Sequence, residues 1–154
     1  MLALIQLIDS SFPTGAFSHS FGLETALQEK WVESAADLYD WLCSYISGSL
    51  VPMEGAAVYW TYVYIKQKNQ QEIKLLDQRV TVSRLARESR EGSMKVGKRY
   101  LRMILELYPG SGLGAYLDWI KAGKAYGSSS IVHGWVCAYL NYSQHEAVVS
   151  HLYG

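Results

Sequence analysis

The chain has 154 residues, 49% of them apolar and 18% charged, with 14 basic and 14 acidic side chains that cancel. That length and composition describe one domain with a substantial core and exclude a disordered chain. Zero net charge disfavours a general nucleic-acid binder, and two cysteines in no recognisable framework, Cys43 and Cys137, exclude a disulfide scaffold and fit a reducing compartment.

The N-terminus MLALIQLID lacks a basic leader and meets Asp9 early, so it does not read as a signal peptide. Residues 10–27, SSFPTGAFSHSFGLETAL, are punctuated by Pro13 and Gly15, and Ser18-His19-Ser20 follows. Helical spacing then begins with Leu23, Ala26, Leu27 and Trp31. Ser34 is a natural N-cap with Asp37 in the capping-box position, ahead of a stripe of Leu38, Leu42, Tyr45 and Ile46. Ala56, Trp60, Val63 and Tyr64 mark a third stripe, and Ile73, Leu76 and Val80 a fourth. The longest charge-free apolar run, GAAVYWTYVYI at 55–65, falls short of the roughly 20 residues a bilayer span needs.

Residues 93–108 predict the longest helix, with Met94, Gly97, Leu101, Ile104, Leu105 and Tyr108 on one face. Lys95, Lys98, Arg99 and Arg102 occupy much of the remainder, and Pro109-Gly-Ser-Gly112 ends it. Leu113, Leu117 and Ile120 suggest a short helix, and Val132, Trp135, Val136, Tyr139 and Leu140 the next. Ser143 to Glu146 is a capping box opening a last helix. Its Val148, Val149, Leu152 and Tyr153 call for a covering segment that does not follow, so the chain is expected to be truncated at its C-terminus. No alternating strand pattern, repeat or linker interrupts the series. The expectation is an all-α, single-domain bundle of about eight or nine helices over residues 1–154.

Charge is segregated along the chain. Residues 1–60 carry seven acids against one base, and residues 79–102 eight bases against two acids. Such blocks suit oriented contact with a partner or second copy, or two solvated faces within one fold. The 12 tyrosines and 5 tryptophans favour protein interfaces.

Chemistry is poorly supported residue by residue. Gly92-Ser-Met-Lys-Val-Gly97-Lys98-Arg99 approaches the phosphate-binding loop G-x-x-x-x-G-K-[ST] but lacks the hydroxyl and a preceding strand. It reads instead as helix, with Gly97 permitting close packing. Ser18 and Ser20 flank His19, but neighbours on a helix diverge, so they make a poor nucleophile–base pair; capping the next helix suits them better. His133 and Cys137, at i and i+4, could face one metal, yet two ligands do not define a site, and a core role suits them better. The basic run from Arg79 to Arg102 is interrupted by Glu88 and Glu91, which favours a protein-facing or intramolecular ion-pair role over nucleic acid.

Two long motifs carry a resemblance. Residues 4–27 closely resemble the opening of the UreF family of urease accessory proteins, whose pattern is P-x-G-[AS]-[FY]-S-[HY]-S-x-G-[LF]-E. Pro13, Gly15, Ala16, Phe17, Ser18, His19, Ser20, Gly22, Leu23 and Glu24 match it. SRLARESREGSMKVGKRYLRM, residues 83–103, resembles the family's S-[RK]-x-x-[RK]-E-x-R-x-x-S-x-x-x-G-[RK]-[RK]-x-L-R through Ser83, Arg84, Arg87, Glu88, Arg90, Ser93, Gly97, Lys98, Arg99, Leu101 and Arg102. Residues 123–135, GKAYGSSSIVHGW, fit only loosely, and the family continues well past the length of this chain.

The resemblance implies an all-α, homodimeric, cytoplasmic, non-catalytic accessory protein with no cofactor or tightly held metal. It implies a place in a nickel metallochaperone complex: binding of UreD (UreH in some organisms) and recruitment of the GTPase UreG, for nickel insertion into apo-urease. Neither nucleic acid nor membrane is an implied partner. Pro13, Gly15, Phe17, Ser18, His19, Ser20, Gly22 and Glu24 are candidate partner contacts, with His19 and Glu24 presented by a shaped helix entry. Arg84, Arg87, Glu88, Arg90, Lys98, Arg99 and Arg102 are candidates for dimerisation or UreG docking. The alternative is a helical protein-interaction or basic nucleic-acid-binding module.

Overall fold

A computed structural model describes residues 2–9 and 22–153. Among these residues there are nine α-helices and no strand: α1 (Leu2–Ile8), α2 (Leu23–Gln28), α3 (Ala35–Tyr45), α4 (Ala56–Lys66), α5 (Gln70–Val82), α6 (Arg87–Leu107), α7 (Leu113–Lys121), α8 (Ser129–Tyr139) and α9 (Gln144–Tyr153). A π-helical segment, Ile46–Gly55, joins α3 to α4, and a 3-10 turn, Pro109–Ser111, joins α6 to α7. The expected all-α bundle is what forms.

Local chemistry sets the helix ends. Ser34 and Asp37 bond reciprocally as a capping box on α3. Ser143 and Glu146 do the same for α9. Four helices stop with the same backbone signature, a left-handed residue followed by paired reverse bonds. At the end of α4, Lys68 (φ 56°) donates to the Ile65 carbonyl and Asn69 to that of Tyr64. Lys30, Gly123 and Asn141 close α2, α7 and α8 the same way. Asn69 then accepts from the Glu72 amide to cap α5, making α4 and α5 a tight hairpin.

The centre is α8, buried without interruption from Ser130 to Ala138. It packs against α4, α6 and α9. Ile131, Val132, Trp135 and Val136 join Leu101, Ile104, Leu113 and Tyr116 in the main core. Two glycines permit the close crossings. A Cβ on Gly134 would lie 2.7 Å from the Val58 carbonyl oxygen of α4, and one on Gly97 2.0 Å from that of Gly127, just before α8. Gly97 is therefore the close-packing residue its sequence context suggests.

Both ends of α8 are held by charge. At its N-terminus the buried Asp77 carboxylate of α5 accepts from the amides of Tyr126 (2.5 Å), Gly127 (3.4 Å) and Ser128 (3.1 Å). At its C-terminus Lys66 Nζ donates to the Ala138 carbonyl at 3.1 Å and to Asn141 at 3.3 Å. Anion at the start and cation at the end complement the helix dipole.

Several sequence expectations are corrected. The longest helix begins at Arg87, six residues before the expected 93. On α4 the buried residues are Ala57, Val58 and Thr61, whereas Trp60 of the expected stripe is 45% exposed. The small face wins because Gly134 lets α8 approach it closely. On α3 no residue is buried at all, despite its apolar stripe. The π-helix was not foreseen; Pro52 inside it has no N–H for an α-helical ladder, and the backbone winds through that point in the wider form.

Candidate functional site

Most of the opening motif, Pro13, Gly15, Phe17, Ser18, His19 and Ser20, lies outside the described residues. Gly22 and Glu24 are described. Gly22 starts α2 in the left-handed region (φ 98°), which glycine adopts without strain, and Glu24 is exposed in the first helical turn.

Along the stretch that follows, several large apolar side chains are exposed. Leu27, Trp31 (69% exposed), Tyr39 (68% exposed), Leu42 and Ile46 all face solvent. Trp41 and Tyr45 stack with ring centroids 5.5 Å apart. α3 packs chiefly on the π-helical segment that follows it, so its flanks stay open. Exposed acids Glu24, Glu29, Glu33 and Asp40 stand along the same stretch. An aromatic surface mixed with acids has the composition of a protein contact rather than of a catalytic cleft.

The second motif is divided by the fold. Arg84 turns inward and ion-pairs with Glu54, which is 6% exposed on the π-helical segment. Arg90 donates to the Arg84 carbonyl at 2.9 Å, fixing the turn between α5 and α6. Arg87 pairs with Glu91 one turn on, an exposed bridge of small energetic weight. Glu88, Lys98, Arg99 and Arg102 are exposed. With Lys95, the last three form a cationic stripe on the outer side of α6 to which no ion pair is assigned among the described residues. The near-phosphate-loop residues 92–99 lie inside α6, where their amides serve the helix.

His133 and Cys137 are both buried, and they belong to a hydrogen-bonded chain. The Tyr100 hydroxyl stands 2.8 Å from His133 Nδ1, and Ser150 Oγ 2.8 Å from Nε2. Ser150 Oγ also reaches the Ala147 carbonyl at 3.1 Å, and Cys137 Sγ lies 3.4 Å from the same Nε2, so both ring nitrogens are engaged. Burial drives the His133 pKa well below the ordinary histidine value and pushes the Cys137 thiol up to about 12. A thiol so held is neither nucleophile nor ready metal ligand. Among the described residues no cluster of three or more His, Cys, Asp or Glu is placed to hold a metal ion, and no helix is long and apolar enough to cross a membrane.

Sequence reasoning passed over Glu54 and Asp77. Each carried a signal: Glu54 is the lone acid in an apolar run, and Asp77 falls on the apolar face shared by Ile73 and Val80. An acid at such a position needs a buried partner.

Comparison with known proteins agrees with the motifs. The UreF family model matches residues 32–154. The chain is 39% identical over 153 residues to the urease accessory protein UreF of Lachnoclostridium phytofermentans, covering 99% of this chain and 67% of that protein. It is 37% identical to that of Bacillus sp. (strain TB-90), covering 67% of it, and 30% identical to that of Ureaplasma parvum serovar 3, covering 65%. The chain thus spans about two thirds of the length of these relatives. On both the match and the identity, the chain belongs to the UreF family of urease accessory proteins.

Proposed function

We infer that this chain is a non-catalytic, cytoplasmic component of a urease maturation complex. In this reading it binds UreD/UreH and recruits the GTPase UreG, so that nickel is inserted into apo-urease, and it works as a homodimer. Family membership supports the general role. The observation that carries the contact role is the run of exposed large apolar side chains between Leu27 and Ile46, Trp31 and Tyr39 foremost. That much exposed apolar area on one stretch suits a protein partner better than water.

Pro13, Gly15, Phe17, Ser18, His19, Ser20, Gly22 and Glu24 form the proposed partner-contact motif, which precedes that run in the sequence. His19 and Glu24 are its proposed polar contacts. Within the second motif, Lys98, Arg99 and Arg102 are the proposed docking residues for UreG or a second copy. Arg84, Arg87, Glu88 and Arg90 complete the proposed set, with Arg84 turned inward to Glu54. A nucleic-acid role has less support, because the cationic stripe is short and the chain carries no net charge.

The test is co-purification. The chain should retain UreD, and His19→Ala with Glu24→Ala should weaken that retention while circular dichroism stays helical. Lys98→Glu with Arg102→Glu should reduce UreG recruitment or dimerisation and lessen the salt dependence of whichever contact it serves. Folded variants with unaltered elution and unaltered capture of both partners would count against these assignments.

A further inference from the structure

Four parts of the fold meet at one buried polar chain. Glu54 of the π-helical segment is ion-paired with Arg84, from the connection between α5 and α6. Its Oε2 atom is buried and makes no hydrogen bond. Facing that oxygen is His151 Nε2 of α9, 3.5 Å away, beyond ordinary hydrogen-bond length. Behind His151 lies the His133 ring of α8, with centroids 5.1 Å apart. A buried acceptor without a donor, opposite an imidazole a short movement away, is a contact left half-made.

We propose that His151 is a proton-operated latch between α9 and the π-helical segment. With a proton on Nδ1 and Nε2 it closes onto Glu54 Oε2 as a charge-assisted hydrogen bond. With a single proton, carried on Nδ1, the ring turns the Nε2 lone pair to Oε2, the contact stays long, and the two elements are held by apolar packing, Val148 and Leu152 against Gly55. The signal is the second proton on the imidazole ring.

The surroundings leave this role to His151. His133 is engaged at both ring nitrogens by Tyr100 and Ser150, and its complete burial disfavours the charged form. Cys137, on the same helix, keeps its proton. Arg84 remains charged and engages the other Glu54 oxygen. The Tyr45 phenol of α3, which feels both Arg84 and Glu54, is shifted upward by burial and stays neutral. From α4, the Tyr62 hydroxyl is committed to the Tyr142 carbonyl, and α1 (LALIQLI) brings no titratable side chain. On α9 itself, Glu146 is engaged by the Ser143 cap, and His145 is exposed beside it in the first turn. Because α3 packs chiefly on the π-helical segment, closing the latch steadies the base of the exposed aromatic surface.

Hydrogen exchange read by mass spectrometry at pH 8 and pH 6, corrected for intrinsic rates, tests the latch on the full chain. Protection of α9 and of residues 46–55, normalised to the buried part of α8, should rise roughly tenfold at pH 6 in the wild type. His151→Gln should abolish the rise, and His151→Lys, charged at both values, should remove the pH response as well. His151 is only partly buried, so these variants are expected to fold. No rise in the wild type, or the same rise in His151→Gln, would overturn the proposal.

Discussion

His133 and Asp77 show how buried polar residues act through protons and amides. The folded state holds His133 neutral, whereas the unfolded chain protonates it below about pH 6.5. The unfolded state therefore binds more protons there, and stability falls as pH drops through that range, by up to about 1.4 kcal/mol per pH unit for this group. His133→Gln should be less stable at pH 7.5 yet show a shallower loss between pH 6.5 and 5.5 in urea titrations. Equal slopes would contradict the neutral assignment. Glu54 acts lower on the scale. Burial opposes its charge, but His151 and Arg84 outweigh it and hold its pKa below the usual value, so its contribution is lost only on stronger acidification.

Asp77 is satisfied by amides rather than by a cation, so its worth is the seating of α8. Asp77→Asn should cost about 1–3 kcal/mol, because an amide cannot accept all three backbone donors with the strength of a carboxylate. Chemical denaturation at neutral pH reads this directly, and a change within error would show that the three bonds are dispensable.

Among elements, the best-read features were those with local causes. The capping boxes at Ser34 and Ser143 were visible because both partners lie within four residues. Burial was harder to read. The Trp60 stripe of α4 is more hydrophobic than the face of Ala57, Val58 and Thr61, but Gly134, more than 70 residues away, decides which side α8 can approach. The π-helix depends on how Glu54 and Gly55 are packed by distant chain, and Pro52 alone does not announce it. Gly97→Ala is the sharp test of helix approach. A methyl there meets the Gly127 backbone, which cannot yield as a flexible side chain would, so the cost should reach or exceed about 1–3 kcal/mol. A thermal midpoint within a degree of wild type would mean the α6–α8 seam is looser than the geometry implies.

At the scale of the molecule, segregated charge and exposed aromatics take on a common sense. The acidic first part of the chain carries the exposed aromatics, and within the basic block Arg84 alone turns inward to Glu54, while Lys95, Lys98, Arg99 and Arg102 form an outward stripe on α6. The sequence made the blocks visible without saying which arginines turn inward, since that depends on the turn Arg90 fixes at Arg84. The opening motif lies ahead of residues 32–154, which the family model matches, and its proposed contact role rests on resemblance.

The most direct measurement is complementation. A urease operon lacking its own UreF gene would be co-expressed with this chain in nickel-supplemented medium. The account predicts nickel-dependent urease activity above the deletion background, reduced when Lys98 and Arg102 are both changed to glutamate. Activity no higher than the deletion background, with the chain present as folded protein, would contradict it.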